Sequence, residues 1–415
     1  MAKLYAFILG KNPILSVAEI FCRAKIEGVT FSIAELTSQA LIVSASQPIG
    51  AAAWQESLGG CIKIGEIFKT YDSLKQFLAD ISSDYLIAEI FPAHEKKIIF
   101  GFSLYGDPVI REQKKFLTAG LTIKKALKES GRSVRLLTGK EPALSSVQVD
   151  KNNLLSRGAD CLVIGSLNKI YFGKTVTMQD YEDYSARDYG RPQRDARAGM
   201  LPPKLAKIMI NLAVITHDQY ILDPFCGSGT ILQEALTLGY HRVAGSDISS
   251  KAVTDTKQNL DWLASERQLP KTDIVLDQAD VRKLDSTITA GSVDAIITEP
   301  FLGPPLTPHT PIINILAIIQ ELESLYLDAF KTFSKILKSG GKVVIVFPLI
   351  KTPHGIFCLR ILEQLTTLGF RRLNPIPEDI SLFAKIGPTA RGSILYHREG
   401  QMVEREIFIF QLNKS

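Results

Sequence analysis

Apolar residues along the first part of the chain fall into short runs that mix strand-like and helix-like spacing. The run Leu4–Leu9 predicts a strand, and an amphipathic segment after it predicts a helix that is N-capped by Ser16 and ended by Gly28. Two more strand-like runs follow, VTFSIAEL and QALIVSAS. We therefore expect residues 1–60 to form a small α+β domain.

A second α+β domain is expected at residues 61–175. Strand-like runs such as CIKIGEIFKTY, KKIIFGFSLYG and DCLVIGSL enclose the segment REQKKFLTAGLTIKKALKESG, whose apolar spacing predicts a helix. Its apolar face is predicted to hold Leu117, Leu121, Ile123 and Leu127. Its other face carries several lysines, among them Lys124 and Lys125.

Residues 176–203 form a different kind of segment, polar, rich in Tyr and Arg, and closed by a double proline. We interpret it as a linker with a binding role, because a plain tether would not concentrate aromatic and arginine side chains. From residue 204 to 415, strands alternate with helices, which predicts an α/β domain with a mostly parallel, doubly wound sheet. Its predicted strands are YILDPF, RVAGSDI, DIVLDQAD, VDAIITEP and GKVVIVFP, with antiparallel edge strands near RRLNPIP or ISLFAKI and at REIFIFQL.

Bulk composition excludes several protein classes. The 415 residues are 46% apolar and 22% charged with a net charge of +5, as in a globular protein with a weak preference for anionic partners. The five cysteines show no metal-ligand spacing, which argues against a zinc site and for reduced thiols. No apolar run approaches the roughly 20 residues that a membrane span requires, and no signal peptide is evident. We expect a cytoplasmic protein.

The strongest chemical signal is DPFCGSGTILQEAL, in which a strand ends at Asp223 and a helix begins near Thr230. Gly227 and Gly229 between them allow a ligand to approach the backbone, and the helix start offers free N–H groups. A dinucleotide fingerprint would need a third glycine where Leu232 stands, and a phosphate-binding P-loop would need a following lysine.

Further acidic residues follow successive strands. Asp247 ends the second strand, where such folds place the acid that binds ribose hydroxyls. Asp280 follows the third strand and could accept a hydrogen bond from an exocyclic amine. The fourth strand delivers Glu299, Pro300 and Phe301 to the same carboxyl edge of the sheet. A single acid of this kind often caps a helix, but four features in register predict a nucleoside-cofactor site.

DPFCGSG, the later acid and the proline-containing turn resemble class I S-adenosylmethionine-dependent methyltransferases that modify exocyclic amines. Upstream, LGKNPILSVAEI resembles an N-terminal ferredoxin-like region and residues 61–175 a THUMP RNA-binding domain. RDYGRPQRDARAGMLPPKLAKIMINLA and RGSILYHREGQMVEREIFIF resemble the linker and tail of the THUMP-domain tRNA (guanine-10-N2)-methyltransferases. The resemblance implies a Rossmann-like methyltransferase domain, S-adenosyl-L-methionine as cofactor and tRNA as substrate.

The resemblance also implies roles for individual residues. Those expected to contact the methionine part of the cofactor are Asp223, Phe225, Gly227 and Gly229. Asp247 would bind its ribose and Asp280 its adenine amine. Cys226, inside the loop, is expected to be a small packing residue, with a catalytic thiol as the alternative.

Two groups of cations are candidate RNA contacts. Lys124 and Lys125 could contact phosphates, although a lysine-rich helix face is often only solvated. In the linker, arginines recur close to Tyr184 and Tyr189, a combination that suits RNA. The arginines are Arg187, Arg191, Arg194 and Arg197. Internal salt bridges with Asp188 and Asp195 are the competing explanation.

The turn TEPFLG departs from the family pattern of Asp or Asn, two prolines and an aromatic residue. Glu299 keeps an acceptor but is one methylene longer, Pro300 keeps its carbonyl, and Leu302 replaces the aromatic residue, so only Phe301 could stack. An active tRNA amino-methyltransferase is the favoured interpretation, before a retargeted enzyme and an inactive cofactor-binding RNA-binding protein. A DNA amino-methyltransferase is disfavoured. The sequence does not determine the nucleotide, the number of methyl groups or the need for an accessory subunit.

Overall fold

The computed structural model describes residues 3–91, 94–194, 200–270, 272, 274–377, 387–397 and 400–414. It divides the chain into two compact units. The first comprises Met1–Pro13 and Gly28–Tyr181, and the second comprises Ile14–Glu27 and Glu182–Ser415. Helix α1 (Pro13–Ile26) therefore packs almost wholly with the second unit, although its sequence lies between two strands of the first.

The first unit is built on one eight-stranded sheet. Its strands are β1 (Leu4–Leu9), β2 (Phe31–Leu36), β3 (Ala40–Ala45), β4 (Cys61–Tyr71), β5 (Lys97–Tyr105), β6 (Ser133–Leu136), β7 (Gly158–Gly165) and β8 (Ile170–Met178), in the order β2-β3-β1-β4-β8-β7-β5-β6. Its helices are α2 (Ala51–Ser57), α3 (Leu74–Asp80), α4 (Asp84–Ile90), α5 (Asp107–Ile110), α6 (Gln113–Glu129), α7 (Ser146–Lys151) and α8 (Leu154–Arg157). Because β1 pairs with β4, the boundary predicted at residue 60 falls inside this sheet. The ferredoxin-like and THUMP assignments stay predictions.

Two details of the predicted helices are wrong. Helix α1 begins at Pro13, and Ser16 is buried inside it, because a proline in the first turn already has the required backbone geometry. In α6 half of the predicted apolar face is confirmed, because Ile123 and Leu127 are buried, and the other half is wrong. Phe116 and Ile123 are buried, whereas Leu117 and Leu121 are 49% and 54% exposed.

The second unit holds a nine-stranded mixed sheet. Its strands are β9 (Ile221–Asp223), β10 (Val243–Asp247), β11 (Ile274–Gln278), β12 (Val293–Thr298), β13 (Leu337–Thr352), β14 (Gly355–Cys358), β15 (Phe370–Arg372), β16 (Ile394–Tyr396) and β17 (Val403–Leu412). Its helices are α9 (Tyr181–Ser185), a π-helical turn (Ala186–Gly190), α10 (Pro203–Leu212), α11 (Thr230–Thr237), α12 (Ser250–Arg267), a 3₁₀ helix (Val281–Ser286), α13 (Ile312–Ile336) and α14 (Leu362–Thr367).

The order β11-β10-β9-β12-β13 is parallel throughout, and β17 joins β13 in antiparallel pairing. The predicted α/β fold with an antiparallel edge is therefore confirmed. β15 and β16 both pair with β17, while the predicted strand ISLFAKI lies outside the described residues. Because the parallel strands all point the same way, the residues that follow β9, β10, β11 and β12 meet at one edge of the sheet.

The core of this unit lies between α13 and the sheet. Apolar side chains of α13 pack on β12, β13 and β17, with Phe330 in edge-on contact with Phe347 and Phe410. Helix α1 adds a buried polar contact, in which Asn211 Nδ2 of α10 donates to Glu19 Oε1 over 2.7 Å. Within the described part of the chain, no helix has both the length and the apolar character of a membrane span.

Candidate active site

A cavity of about 590 Å³ opens at the carboxyl edge of the parallel strands. Among the residues that line it are Asp223, Phe225, Gly227, Asp247, Asp280, Glu299, Pro300 and Phe301. Every predicted cofactor residue except Gly229 thus faces one cavity, together with the three residues of the predicted catalytic turn. The roles proposed for these residues remain predictions, but the structure brings them together.

The glycine loop between β9 and α11 has the backbone that its sequence requires. Gly227 and Gly229 have φ angles of 53° and 82°, which other residues rarely adopt. A Cβ at Gly229 would lie 2.8 Å from Cγ2 of Thr256, whereas one at Gly227 would meet no atom within 4 Å. Gly229 therefore shapes the turn and lets α12 pack closely, while Gly227 leaves open space beside the cavity. The Thr256 hydroxyl donates to the Gly227 carbonyl over 2.7 Å and fixes the loop.

Asp223 is fully buried at the end of β9. Its Oδ1 accepts hydrogen bonds from the Thr298 hydroxyl at 2.7 Å and from the Phe225 backbone at 3.2 Å. Burial raises the pKa of Asp223 to about 7, and the nearby carboxylates of Asp247 and Glu299 add to the increase. The site therefore holds a carboxyl group whose ionised form would be stabilised by a cationic ligand.

Asp247 is held by backbone amides at the end of β10. Its Oδ2 accepts from Gly227 N at 3.0 Å and its Oδ1 from Ser249 N at 2.9 Å. Both bonds fix the carboxylate against the glycine loop and leave lone pairs for further donors. The adjacent Ile248, which sequence reasoning missed, is 67% exposed and lines the cavity. An exposed apolar side chain beside an oriented carboxylate suits a ligand with a flat ring and hydroxyl groups.

Asp280 is already engaged by a neighbouring cation. Its Oδ1 caps the 3₁₀ helix by accepting from Arg282 N at 3.0 Å, and both carboxylate oxygens accept from the Arg282 guanidinium. The pKa of Asp280 is lowered by these bonds. The sequence did not reveal this pairing, although two oppositely charged residues two positions apart could have suggested it.

Glu299, the predicted acceptor of the catalytic turn, pairs with Arg405 of β17. Arg405 Nε lies 2.5 Å from Oε2, and Nη2 lies 3.1 Å from Oε1. Their side chains are only 11% and 7% exposed. Sequence reasoning did not single out Arg405, because it lies 106 residues away.

The rest of the turn is arranged around an exposed aromatic ring. Phe301 is 58% exposed and lines the cavity, while Pro300 is buried. The Tyr326 hydroxyl of α13 donates to the Phe301 carbonyl over 3.2 Å, a restraint that sequence reasoning missed. Phe301 is therefore held by its backbone while its ring remains available for stacking.

Cys226 behaves as a packing residue. Its side chain is 5% exposed, and burial raises the pKa of its thiol. A thiol that is hard to ionise is a poor nucleophile. The geometry favours the expected packing role over the catalytic alternative.

Two of the predicted RNA-binding arginines have internal partners instead. Arg187 is 2% exposed and pairs with Glu234 at 2.5 Å and with Asp183. Arg191 is 3% exposed, and its Nη1 donates to the Thr230 hydroxyl at the start of α11 over 2.7 Å. The burial of both guanidinium groups argues against a direct phosphate contact, and the predicted RNA-binding role of these two arginines stays untested. The linker residues instead brace α11, which follows the glycine loop.

Of the other predicted RNA-binding residues, Arg194 and Lys125 are exposed. Arg194 is exposed and lies 5.0 Å from the ring centroid of the exposed Tyr189, while Arg197 lies outside the described residues. In the first unit, Lys125 is exposed and Lys124 is half-buried. RNA binding by Lys124, Lys125 and Arg194 stays a prediction.

The chain is similar in sequence to known methyltransferases. Residues 191–368 match the family model UPF0020, described as RMKL-like, methyltransferase domain. The chain is 34% identical over 152 residues to a tRNA (guanine(10)-N2)-dimethyltransferase of Methanothermobacter thermautotrophicus, covering 36% of this chain and 39% of the relative. It is 26% identical over 244 residues to the protein of that name from Methanocaldococcus jannaschii, covering 59% and 62%.

Both matches span less than two thirds of the curated relatives. Among solved structures, TrmN from Thermus thermophilus superposes with a TM-score of 0.53 at 17% identity, covering 99% of each chain. At that identity the likeness concerns the fold, and it confirms the class I methyltransferase architecture. The family-model match and the two curated relatives confirm the resemblance to a tRNA methyltransferase family that the sequence suggested.

Proposed function

We propose that this relative of the tRNA (guanine(10)-N2)-dimethyltransferases is an S-adenosyl-L-methionine-dependent enzyme that methylates the exocyclic N2 amine of a guanosine in tRNA. One observation carries the proposal: the acids at four successive strand ends line one cavity with the Glu299–Pro300–Phe301 turn. The guanosine named by the relatives, position 10, is the first nucleotide to test. A cytoplasmic location fits a tRNA substrate and belongs to the same proposal.

The cavity suits the proposed cofactor chemically. S-adenosylmethionine, when bound, supplies an electrophilic methyl group on a positively charged sulfonium, next to an ammonium group. Asp223 and Asp247 have no ion-pair partner among the residues that the structure describes, so they can balance this positive charge. Gly227 leaves room for close approach, and the exposed Ile248 offers an apolar surface to the adenine ring.

The catalytic turn supports transfer by positioning. An exocyclic amine is a weak nucleophile because its lone pair is delocalised into the base. Glu299 and the Pro300 carbonyl would accept hydrogen bonds from its two N–H groups, which localises the lone pair and aims it at the methyl group. On methyl transfer the amine nitrogen would lose one proton, and Glu299 would receive it. The exposed Phe301 ring would stack on the guanine.

The experiment that tests this proposal measures radiolabelled methyl transfer from S-adenosylmethionine to total tRNA, followed by nucleoside mass spectrometry. We expect N2-methylguanosine or N2,N2-dimethylguanosine, lost in Glu299→Ala. S-adenosylhomocysteine binding by calorimetry provides the matched control, because Glu299→Ala should retain it. A different methylated nucleoside would overturn the substrate assignment but leave the methyltransferase reaction intact.

A cofactor-binding protein without transferase activity is the second candidate. The observation that favours it is the Arg405 guanidinium, which occupies both carboxylate oxygens of Glu299. Under this alternative, S-adenosylhomocysteine binds with ordinary affinity but no RNA accepts a methyl group. The transfer assay and the calorimetric assay together separate the two candidates.

A further inference from the structure

The ion pair between Glu299 and Arg405 crosses one strand of the sheet. Glu299 follows β12 directly, and Arg405 lies on β17, with β13 between the two strands. In the register of β13 and β17, Arg405 lies opposite Pro348. The pair thus ties the predicted catalytic turn to the antiparallel edge of the sheet, beyond the residues that match the family model.

The geometry of this pair limits what Glu299 can present to a substrate. A carboxylate carries about four acceptor positions, two on each oxygen. A guanidinium that donates to both oxygens from one side takes the two positions that face it. The remaining lone pairs point outward in diverging directions, so one substrate amine would meet only one of them. Because Glu299 lines the cavity, one such lone pair is available to a ligand.

Arg405 also offsets the extra length of the side chain. Glutamate has one more rotatable bond than aspartate, so an unrestrained carboxylate would sample several positions and could reach about 1 Å farther into the cavity. Two hydrogen bonds from a buried guanidinium select one of these positions.

We infer that Arg405 is a positioning residue that holds the Glu299 carboxylate where a shorter Asp or Asn would stand, so that it accepts a single hydrogen bond from the target amine. This inference rests on the proposed function. It assigns the unusual glutamate and the distant arginine to one functional pair. Glu299 contacts the substrate, and Arg405 acts only through Glu299.

The test compares steady-state methyl transfer by the full chain with Arg405→Lys and Arg405→Met. Arg405→Met should lower kcat about 10- to 100-fold, because a misplacement near 1 Å can cost about 100-fold, while KM for tRNA and affinity for S-adenosylhomocysteine change little. Arg405→Lys keeps the charge but loses the two-pronged hydrogen bonding of the guanidinium, so its kcat should lie between that of Arg405→Met and that of the wild type.

A second substitution distinguishes positioning from a purely structural clamp. Asn is neutral and one methylene shorter than Glu, so it needs neither a cationic partner nor a neighbour that holds it in position. Glu299→Asn should raise kcat when added to Arg405→Met, yet lower kcat in the wild-type background, where it leaves Arg405 buried without its partner. A structural clamp predicts instead that both substitutions lower the melting temperature and S-adenosylhomocysteine affinity, with no recovery of kcat in the double variant.

Arg391→Met provides a matched control. Arg391 pairs with Glu406, whose side chain lies on the opposite face of β17 from Arg405, at an N–O distance of 3.1 Å. Its loss should reduce stability without selectively lowering kcat.

Wild-type kcat in Arg405→Met would overturn the inference and leave the proposed function intact, whereas absence of transfer by the wild type would overturn the proposed function itself. If Arg405→Met fails to fold, an unchanged kcat in Arg405→Lys overturns the inference.

Discussion

The Thr298 hydroxyl donates a 2.7 Å hydrogen bond to Oδ1 of Asp223, which joins the carboxyl ends of β12 and β9. Asp223 is nevertheless fully buried, and this burial raises its pKa to about 7. A residue at the centre of the proposed cofactor site therefore changes its ionisation near neutral pH.

The affinity for S-adenosylmethionine should increase as the pH rises through 7. The ionised form of Asp223 attracts the positively charged cofactor, and this form becomes dominant above its pKa. We expect the dissociation constant from calorimetry to fall about tenfold between pH 6 and pH 8. Asp223→Asn should bind weakly with a much flatter pH profile. A flat profile in the wild type would contradict this assignment.

Asp223→Asn should stabilise the protein without ligand at alkaline pH. The pKa of Asp223 rises from its ordinary value of 3.8 to about 7 in the folded chain, so the folded state binds more protons than the unfolded state between these values. The wild type therefore loses stability as the pH rises from about 4 to about 7, and the loss persists above 7. Asn keeps an oxygen for the Thr298 hydrogen bond. In urea unfolding, the free energy of unfolding of Asp223→Asn should exceed that of the wild type by more at pH 8 than at pH 5. An equal difference at both pH values would contradict the prediction.

Phe301→Ala should impair the use of tRNA but not cofactor binding. The ring is 58% exposed at the cavity, and stacking of a base on an aromatic side chain contributes about 1–3 kcal/mol. We expect kcat/KM for tRNA to fall roughly 10- to 100-fold, while calorimetry with S-adenosylhomocysteine stays near the wild-type value. Phe301→Tyr, which keeps the ring, is the control and should retain most activity.

Arg187 and Arg194 should respond differently to substitution. Arg187→Met removes the buried partner of Glu234, and we expect it to lower the free energy of unfolding by about 3 kcal/mol, the low end for breaking a buried ion pair. Lys207 Nζ, 3.7 Å from the same carboxylate, limits the loss. Arg194→Met concerns an exposed guanidinium and should change stability by less than about 0.5 kcal/mol. It should instead weaken tRNA binding. The opposite pattern in denaturation and filter-binding measurements would restore an RNA-binding role for Arg187.

Lys124 and Lys125 should contribute to tRNA binding without sequence preference. Replacing both with Ala should weaken binding at low salt and reduce the slope of log affinity against log salt by about one for each phosphate that is no longer neutralised. Unchanged affinity and slope in the Lys124 and Lys125 variant would identify that face as simply solvated.

Local sequence patterns were enough to predict the second unit's sheet and most residues of its cavity. Strand and helix periods, Gly227 and Gly229, and the acids at strand ends are local features, and parallel strands necessarily bring their carboxyl ends to one edge. A reader of the sequence could thus locate Asp223, Asp247 and Glu299 before seeing the fold. The same reasoning placed the strands of the first unit.

The pairing of charges and the unit to which helix α1 belongs could not be predicted from local patterns. Arg405 reaches Glu299 across 106 residues, and Arg187 reaches Glu234 across 47. Such contacts depend on the order of strands and on burial, which leave no periodic signal in the sequence. Helix α1 joins the second unit for the same reason: an apolar helix must be buried, but its sequence does not specify against which partner.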